Sequence, residues 1–418
     1  MIERGAAVSN AAKLALLSGF LGWMFDSMDL NLFTLVLVPS IGELTGAATP
    51  AAIAAAGGMV IGLKIFGWGL GGVIFGVVAD RVGRARTLVI TILIYSVFTG
   101  LCGFAQNFRQ LAILQTLAGI GIGGEWAAGA ALIAETCPER IRIKALQFMQ
   151  MAYALGFFLA AGINIVLGPM GWRAVLIVGI VPAGATLFIR MFVSEPDRWI
   201  AARIARRNES AVSAFARIFS RDHLRNTVVG VTIAFAFMVG SWAAQTLLPG
   251  WISQLLGPST PSVAAWTIGW SYMLMNFGSV AGYAAQILLA DHFGRRPMYF
   301  FFCAGSLASI LYTFRDGTTL AHLQTMLPVL GFFIFGGFGT FAAYLPELFP
   351  TPIRATGQGF CYNMSRLLTS PGPLIVGTLV GTFGGSIPRA SSTVALTLVV
   401  GMVAIWFGPE TAGRPLRD

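Results

Sequence analysis

The 418-residue sequence carries little charge: 11% of its residues are Asp, Glu, Lys or Arg, whereas soluble domains carry about 25%. With 56% hydrophobic residues, it has too few polar side chains to cover the surface of a soluble multidomain enzyme. A disordered chain is excluded as well, because disorder requires low hydrophobicity. The long apolar runs predict a polytopic helical membrane protein, since a membrane-spanning barrel would show short alternating segments.

Cysteine and histidine are also scarce. The cysteines Cys102, Cys137, Cys303 and Cys361 lie in or at the ends of apolar runs and show no C-x-x-C spacing. This pattern predicts packing residues and neither a disulfide framework nor a metal site. The three histidines fall in loops or at the ends of runs, and no nucleophile and base stand at a diagnostic spacing. We therefore expect no enzyme activity, no metal and no cofactor other than protons as a coupling ion.

Twelve apolar runs are long enough to cross a bilayer as helices. They cover residues 15–41, 53–79, 87–105, 110–135, 145–168, 173–193, 226–256, 264–290, 298–314, 322–346, 356–383 and 391–408. A polar stretch divides them into two sets of six, so we predict an N-terminal bundle (1–194), a cytoplasmic linker (195–225) and a C-terminal bundle (226–418). We interpret the linker as a solvated connector, with a short amphipathic surface helix as the alternative.

The net charge of +10 invites a nucleic-acid interpretation. The basic residues, however, lie in short loops between apolar runs and in the polar stretch, which is typical of the positive-inside rule. Placing the N-terminus inside puts most Lys and Arg residues on the cytoplasmic side. We predict an integral protein of the cell inner membrane with both termini cytoplasmic, no cleavable signal and no nucleic-acid partner.

Two short motifs recur at almost the same offset. Residues 80–84 (DRVGR) follow the second run, and residues 291–295 (DHFGR) follow the eighth, 211 positions later. Residues 135–138 (ETCP) end the fourth run, and residues 347–350 (ELFP) end the tenth, 212 positions later. Two matches at an offset near half the chain length predict a duplicated six-helix unit, with a binding site between the halves.

Five ionisable residues lie deep inside apolar runs: Asp26, Asp29, Lys64, Glu125 and Arg366. A charge in the bilayer core costs about 2.5–3.5 kcal/mol, so such residues usually serve a function. At about 1.5 Å per residue, four helices deliver these charges about 15 Å from a helix end, near the middle of a core about 30 Å thick. That is the depth at which alternating-access transporters bind substrate.

The deep carboxylates Asp26, Asp29 and Glu125 are candidates for proton coupling; the alternative is that one forms a permanent structural ion pair with Lys64. Arg366 is the preferred substrate anchor, because a guanidinium is always charged and binds carboxylates with two hydrogen bonds. The alternative for Arg366 is an ion pair with an acidic residue. Lys64 is a second candidate anchor, or a sensor of the protonation of nearby carboxylates.

Other polar and aromatic side chains in the runs are candidates for contacting the substrate. Helix–helix packing explains each of them equally well. Those assigned to substrate binding are Asn363, Tyr362, Gln115 and Tyr153.

Residues 76–86 (G-x-x-x-D-R-x-G-R-x-R) match the signature between helices 2 and 3 of the major facilitator superfamily, which the whole chain resembles. The resemblance implies an all-α fold of twelve transmembrane helices in two pseudo-symmetric six-helix bundles. The gating motif assigned from the signature and its repeat comprises Gly76, Asp80, Arg81, Gly83, Arg84, Asp291, Gly294, Arg295, Glu135, Arg142, Glu347 and Arg354. Such a cluster can latch the cytoplasmic side; the alternative is that the arginines only fix topology. Glu135 is expected to form a structural salt bridge with the nearby Arg140 and Arg142.

Residues 22–30 (GWMFDSMDL) and 121–126 (GIGGEW) resemble helices 1 and 4 of the sialate/lactate-type organic-anion:proton symporters. The related aromatic-acid:proton symporters share an acidic motif in helix 1. The resemblance implies that Glu125 is the first candidate for proton binding and Asp29 the second. Gln115 stands where many superfamily members carry an arginine, so a cation in helix 4 is not implied.

We expect a secondary active transporter that takes up a small organic anion, a monocarboxylate, by proton symport and rocker-switch alternating access. It is expected to act as a monomer within the lipid bilayer. The alternatives are a proton-coupled antiporter that exports a metabolite or drug, and a non-transporting membrane receptor. A channel is disfavoured because the deep charges have both signs and form no evident ring.

Overall fold

The computed structural model of the protein describes residues 9–46, 50–205, 215–258, 261–315 and 317–416. Throughout these ranges the regular structure is helical, with no β-strand. Ordinary soluble proteins devote only about a third of their residues to helix. An all-helical chain is what the bilayer demands, because each backbone N–H and C=O must find its partner within the segment.

The helices follow the predicted runs and extend beyond most of them at one or both ends. They are α1 (Asn10–Leu35), α2 (Leu37–Thr45), α3 (Pro50–Val82), α4 (Arg84–Cys102), α5 (Phe108–Thr136), α6 (Glu139–Leu167), α7 (Trp172–Ile177), α8 (Ala183–Phe192), α9 (Asp197–Ala205), α10 (Arg221–Leu256), α11 (Pro261–Phe293), α12 (Arg295–Thr313), α13 (Leu320–Glu347), α14 (Arg354–Thr369), α15 (Gly372–Thr382), α16 (Ile387–Ala395) and α17 (Thr397–Ala404). Short 3-10 turns occupy Gly168–Met170, Val178–Ile180, Thr351–Ile353 and Ile405–Phe407. Seven of the described helical stretches are long and apolar enough to cross a membrane, and α1 with α2 makes an eighth if this bent pair is one span.

Several predicted spans are interrupted. The first breaks at Val36, where α1 and α2 meet at 52°. The sixth changes to a 3-10 turn before Pro182, and the eleventh breaks at Pro371, because proline lacks the N–H that a helix interior requires. Within the predicted linker the structure places the helix α9, and its position at the membrane surface stays a prediction.

The described chain forms two compact units. Unit 1 comprises Met1–Leu224, Leu345–Asn363 and Pro415–Asp418, and unit 2 comprises Arg225–Tyr344 and Met364–Arg414. The segment Leu345–Asn363 comes late in the sequence, yet it packs with the helices of unit 1. The predicted division into bundles 1–194 and 226–418 stays a prediction.

Helices α3 and α5 of unit 1 pack closely, because glycine allows their backbones to meet. A Cβ atom at Gly119 would stand 2.2 Å from the backbone oxygen of Lys64, and one at Gly71 would stand 1.9 Å from that of Ile120. Small residues at helix interfaces permit this approach in membranes, where lipid tails give helices no hydrophobic reason to associate. The contact fixes the position of Lys64 within the bundle.

Helix α4 of unit 1 begins at a carboxylate cap. Gly83 has a φ of 124°, which favours glycine, and it turns the chain between α3 and α4. The Glu195 carboxylate accepts hydrogen bonds from the backbone N–H groups of Arg84 at 2.6 Å and Arg86 at 3.1 Å. A helix N-terminus carries partial positive charge, so this carboxylate stabilises the start of α4.

The same arrangement recurs in unit 2 at the start of α12. Gly294 has a φ of 83°, and Glu410 accepts hydrogen bonds from the backbone N–H groups of Arg295 at 2.9 Å and Arg296 at 3.1 Å. Burial alone would raise the pKa of Glu410, but the backbone donors outweigh it and hold the pKa below its ordinary value of 4.5. A carboxylate with a lowered pKa stabilises the folded state above its unfolded pKa, and this contribution is lost as the pH falls through the folded value.

We expect Glu410→Gln to lower the midpoint of thermal unfolding at pH 7 by about 2 °C, because a helix cap contributes about 1 kcal/mol. The gap between wild type and variant should be constant above about pH 5 and should narrow as the pH falls below 4.5, since Glu410 of the wild type then becomes protonated. Thermal unfolding followed by tryptophan fluorescence in detergent measures both effects. Asp222→Asn, at an exposed acid in the first turn of α10, is the control for the loss of a charge near a helix start and should lower the midpoint less than Glu410→Gln does. A gap that stays constant with pH would show that the Glu410 charge does not contribute.

Candidate functional site

Three carboxylates and one lysine lie buried together in unit 1. Asp26 and Asp29 are on α1, Lys64 is on α3 and Glu125 is on α5, and each is at most 1% exposed. A Cβ atom at Gly22 would stand 2.0 Å from Glu125 Oε1, so the missing side chain of this glycine leaves room for the Glu125 carboxyl group against α1. We call these four ionisable residues the buried charge cluster.

Asp29 and Lys64 form an ion pair within the buried charge cluster. Lys64 Nζ lies 2.9 Å from Asp29 Oδ2 and 3.3 Å from the Asp29 backbone oxygen. Within the described residues, Asp29 Oδ1 has no hydrogen-bond partner. The ion pair matches the alternative interpretation of Lys64 from the sequence, and the role of Lys64 as a substrate anchor stays a prediction. Loss of one partner of a buried pair is strongly destabilising, so each residue stabilises the other within the buried charge cluster.

The other two members of the buried charge cluster face one another. The side chains of Glu125 and Asp26 are both buried and lie close enough to interact. An ionised carboxylate only accepts hydrogen bonds, so a hydrogen bond between two carboxyl groups requires a proton on one of them. Two neighbouring carboxylates in a buried site also repel each other, which disfavours ionisation of both at once. The pair is therefore chemically suited to hold one exchangeable proton.

Sequence reasoning missed Tyr95 on α4. Its side chain is fully buried and lies within electrostatic range of all three carboxylates of the buried charge cluster. A phenol can donate a hydrogen bond to a carboxylate or accept one from a carboxylic acid. A tyrosine in an apolar run is equally typical of packing, so no signal in the sequence distinguished it.

Several aromatic side chains of unit 1 lie close in sequence to a member of the buried charge cluster or contact a residue that does. Trp126 Nε1 donates a hydrogen bond to Gln150 Oε1 at 3.1 Å, and its ring stacks on Tyr362 with centroids 4.2 Å apart. The ring of Tyr153 packs against Trp23 with centroids 5.4 Å apart. Tyr362 and Tyr153, both predicted from the sequence, thus take part in ring contacts in unit 1. The hydrogen bond to Gln150 fixes the Trp126 indole in one orientation.

The other predicted substrate-binding residues, Gln115, Asn363 and Arg366, do not share one set of contacts. Gln115 is buried and donates a hydrogen bond to Cys102 Sγ at 3.4 Å. Asn363 donates to the backbone oxygen of Gly359 at 2.9 Å, one turn earlier in its own helix. Arg366 belongs to unit 2 and is 2% exposed. Their contacts with a substrate stay predictions.

The predicted gating residues of unit 1 form a buried ionic network. The Nε and Nη2 atoms of Arg84 donate to both oxygens of Glu135 at 3.0 and 2.9 Å, which is a bidentate pair. Arg84 Nη2 also lies 2.9 Å from Asp80 Oδ1, and Arg354 Nη1 donates to Glu135 Oε1 at 2.7 Å. We call these four residues the gate network. Arg84 is buried within this network, whereas Arg81 and Arg86 are exposed, and the choice between latch and topology stays a prediction.

The gate network also holds the start of α14 against α3. Asp80 accepts hydrogen bonds from the backbone N–H groups of Ala355 at 3.2 Å and Thr356 at 2.7 Å, which are orphan donors of the first turn. A Cβ atom at Gly76 would stand 2.7 Å from the backbone oxygen of Ala355. The glycine therefore permits a backbone contact that no larger residue allows.

Gly76→Ala is expected to disturb the seat of α14 without unfolding the protein, because overpacking a tight contact costs about 1–3 kcal/mol. The corresponding loss of transport rate is about tenfold. Gly62→Ala on the same helix is a matched control, since a Cβ atom there meets nothing within 4 Å. Initial uptake rates and unfolding midpoints of both variants separate the two effects. Equal uptake by both variants would contradict the close contact at Gly76.

Glu135 binds two arginines in addition to any contact with the nearby Arg140 and Arg142 that the sequence predicts. Arg142 donates its Nε to the backbone oxygen of Ala134 at 3.0 Å, near the C-terminal end of α5. A cation there is favoured by the partial negative charge of the helix end. Glu135 pairs with two arginines that lie 51 and 219 positions away in the sequence, a distance that local spacing cannot reveal.

The repeat motif of unit 2 is described in part. Gly294 turns the chain before α12, and the backbone of Arg295 takes part in the cap by Glu410. The side chain of Asp291 lies outside the described residues. Glu347 is buried in unit 1 and interacts electrostatically with Arg142. Within the ranges given above, no group of three or more His, Cys, Asp or Glu residues is placed to hold a metal ion.

Comparisons with known proteins address the whole chain. The sequence model of the Major Facilitator Superfamily matches residues 15–373. A protein of Cupriavidus pinatubonensis named "Probable 4-methylmuconolactone transporter" is 34% identical over 406 residues, covering 95% of this chain and 90% of that protein. The cis,cis-muconate transport protein of Acinetobacter baylyi is 30% identical and covers 92% of this chain and 91% of its own. The solved structure of the proton:xylose symporter XylE, bound to 6-bromo-6-deoxy-D-glucose, has a TM-score of 0.80 at 21% identity and covers 98% of both chains, which shows the fold.

Proposed function

Because the chain belongs to the Major Facilitator Superfamily, whose members are transporters and not enzymes, we propose that it takes up a small organic anion by proton symport. It has the all-α, twelve-helix fold of that family and is an integral membrane protein. The observation that carries the proposal is the buried Asp26–Glu125 pair beside the Asp29–Lys64 ion pair. A site that places a protonatable pair next to a fixed ion pair can change its net charge by one when a proton binds.

The proposed substrate is a small organic acid with one carboxylate. The named substrates of the two relatives support an unsaturated organic acid: a muconolactone carries one carboxylate and a muconate carries two. The Trp126 and Tyr362 rings, which are buried and stack on each other, are aromatic groups of the kind that flat, conjugated acids stack on. A carboxylate needs a cation in the site, and Arg366 is the residue we assign to this role.

In the proposed cycle, a proton binds to the Asp26–Glu125 pair from the outer side and the anion then docks on Arg366. Only the fully loaded or the empty carrier exchanges between its two open states. Release of the proton inside restores the carboxylate charge and weakens the hold on the anion. The gate network is the contact that this cycle breaks and remakes at the cytoplasmic side, because it seats α14 on α3.

We place both termini in the cytoplasm and the protein in the cell inner membrane, on the distribution of Lys and Arg. A monomer is proposed as the working unit, since each chain holds both predicted six-helix halves. An antiporter of the same fold would use the same buried charge cluster, but its proton and its substrate would cross the membrane in opposite directions. Transport direction therefore has to be measured.

Uptake into proteoliposomes tests the proposal. The purified protein is given an inward proton gradient and labelled benzoate, lactate, sialate or cis,cis-muconate, with Arg366→Ala and the exposed control Arg109→Ala. We expect at least one monocarboxylate to accumulate only with the gradient. Arg366→Ala should lower its uptake about a hundredfold, because truncation of a buried charge partner costs 2–5 kcal/mol, and Arg109→Ala should transport normally. Exchange of a neutral or cationic compound against protons, with no uptake of any acid, would establish the antiporter instead.

A further inference from the structure

A groove lies on the surface of unit 1 where α4, α8 and α9 meet. It consists of two cavities of about 480 and 530 Å³, and both are lined by Arg86 and Glu195. The first cavity has an apolar floor made by Val82, Ala85, Val89, Ile90, Ile189 and Val193. The second is bounded by Trp199, Ile200, Arg203 and Ile204 of α9. The two cavities adjoin at these two shared residues, and we refer to them together as the groove.

The rim of the groove is positively charged. Arg86 is exposed, and the guanidinium of Arg203 lies 5.1 Å from the centre of the Trp199 ring. Glu195 is the acidic residue of the groove, and its carboxylate already accepts hydrogen bonds from the first backbone N–H groups of α4. Across the described part of the chain, neither guanidinium forms an ion pair with a carboxylate. The groove therefore contains two guanidinium groups and one carboxylate, which leaves it a net positive charge.

The apolar floor distinguishes this groove from a site for a soluble anion. From Arg86 to Ile90 the groove descends four residues, about 6 Å, along α4 into an apolar span. Ile200 and Ile204 of α9 are 42% and 74% exposed, so an apolar surface also borders the rim. Charge at one end and apolar surface at the other is the pattern of a phosphate attached to a hydrocarbon chain.

We propose that this groove binds one anionic phospholipid of the surrounding bilayer. The phosphate lies between Arg86 and Arg203, and one acyl chain lies on the floor formed by Val89 and its neighbours. A zwitterionic lipid fits less well, because its ammonium group would approach two guanidinium groups.

The position of α9 connects this lipid site to the gate network. Trp199 is buried and its Nε1 donates a hydrogen bond to the backbone oxygen of Asp80 at 2.9 Å. Helix α9 also packs against the 3-10 turn Thr351–Ile353, which directly precedes Arg354. A lipid bound between α4 and α9 therefore stabilises the surroundings of the gate network, and its removal destabilises the seat of α14.

Native mass spectrometry and thermal unfolding of the full-length protein in neutral detergent test this site. The probes are phosphatidylglycerol, phosphatidylcholine, inorganic phosphate and glycerol 3-phosphate. The test variants are the double variant Arg86→Gln/Arg203→Gln and the single variant Val89→Trp, which fills the floor without changing charge. The double variant Arg109→Gln/Arg221→Gln removes the same charge from exposed positions outside the groove and serves as the matched control.

We expect one phosphatidylglycerol to bind the wild type and to raise its unfolding midpoint, with no such effect from phosphatidylcholine or the two soluble phosphates. The double groove variant should bind about thirtyfold more weakly, since two basic residues near the surface are removed, and the matched control should bind as the wild type does. Val89→Trp should weaken binding too, which keeps the test informative if the double variant folds poorly. Equal binding of both lipids, an equal effect of inorganic phosphate, or wild-type binding by the groove variants would each overturn the proposal.

Discussion

Glu125→Gln is expected to abolish proton-driven accumulation of the substrate while leaving exchange of substrate across the membrane intact. A glutamine keeps the size and hydrogen-bonding capacity of a protonated glutamate, but it cannot release a proton. With one coupled proton, an inward gradient of two pH units supports an accumulation of about a hundredfold, since each unit corresponds to a factor of ten. The variant should stop at equal concentrations on both sides.

This result is measured with labelled substrate in proteoliposomes, as net uptake under the gradient and as counterflow without it. Glu139→Gln, at an exposed carboxylate of α6, is the matched control and should accumulate substrate normally. Asp26→Asn should resemble Glu125→Gln, because both remove the carboxyl pair. Normal accumulation by Glu125→Gln would exclude this residue as the proton carrier.

Glu135→Gln is expected to release α14 from its seat in unit 1. Glu135 binds Arg84 and Arg354, and all three side chains are fully buried, so loss of its charge takes an ionised partner from two guanidinium groups and leaves Arg84 with Asp80. Removal of one partner from a buried ion pair costs about 3–5 kcal/mol. A cost of about 3 kcal/mol shifts the equilibrium between seated and released α14 by more than a hundredfold.

Labelling of Cys361 by a maleimide measures this shift, since Cys361 lies on α14 and is fully buried when the helix is seated. The experiment uses a protein in which Cys361 is the one remaining cysteine. Cys303, which is equally buried but belongs to unit 2, provides the control in a second protein. Faster labelling of Cys361 alone indicates release of α14, whereas faster labelling of both indicates unfolding. An unchanged rate at Cys361 would contradict the role of the gate network.

Composition and hydrophobic runs were sufficient to predict the helical membrane fold, because the bilayer dictates both the length and the polarity of each span. They did not predict the breaks at Val36 and Pro371. A run of apolar residues looks continuous whether or not the helix bends within it. Pro371 was visible in the sequence, yet proline is tolerated in membrane helices, so it gave no firm signal.

The members of the buried charge cluster were predicted because a charge in an apolar run is costly and therefore conspicuous. Their pairing was not predicted uniquely: that Asp29 takes Lys64 and Asp26 faces Glu125 depends on how α1, α3 and α5 rotate against one another. Tyr95 was missed because its hydroxyl costs little in an apolar run.

The two helix caps were missed for a related reason. Glu195 stands at the start of a stretch that was interpreted as a solvated connector, and Glu410 lies beyond the last predicted span. Nothing in the local sequence shows that each carboxylate returns to a helix more than a hundred positions earlier. The repeated motifs that contain Gly83 and Gly294 are visible in the sequence. Their capping carboxylates, Glu195 and Glu410, lie outside those motifs.

The central claim is that an organic acid and a proton enter together through the Asp26–Glu125 pair. The most direct measurement adds the unlabelled acid to lightly buffered proteoliposomes and records the external pH with an impermeant dye. We predict an alkalinisation that begins with the acid, requires the protein and is absent in Glu125→Gln. Acid uptake with no change in pH, or with acidification of the outer solution, would contradict proton symport.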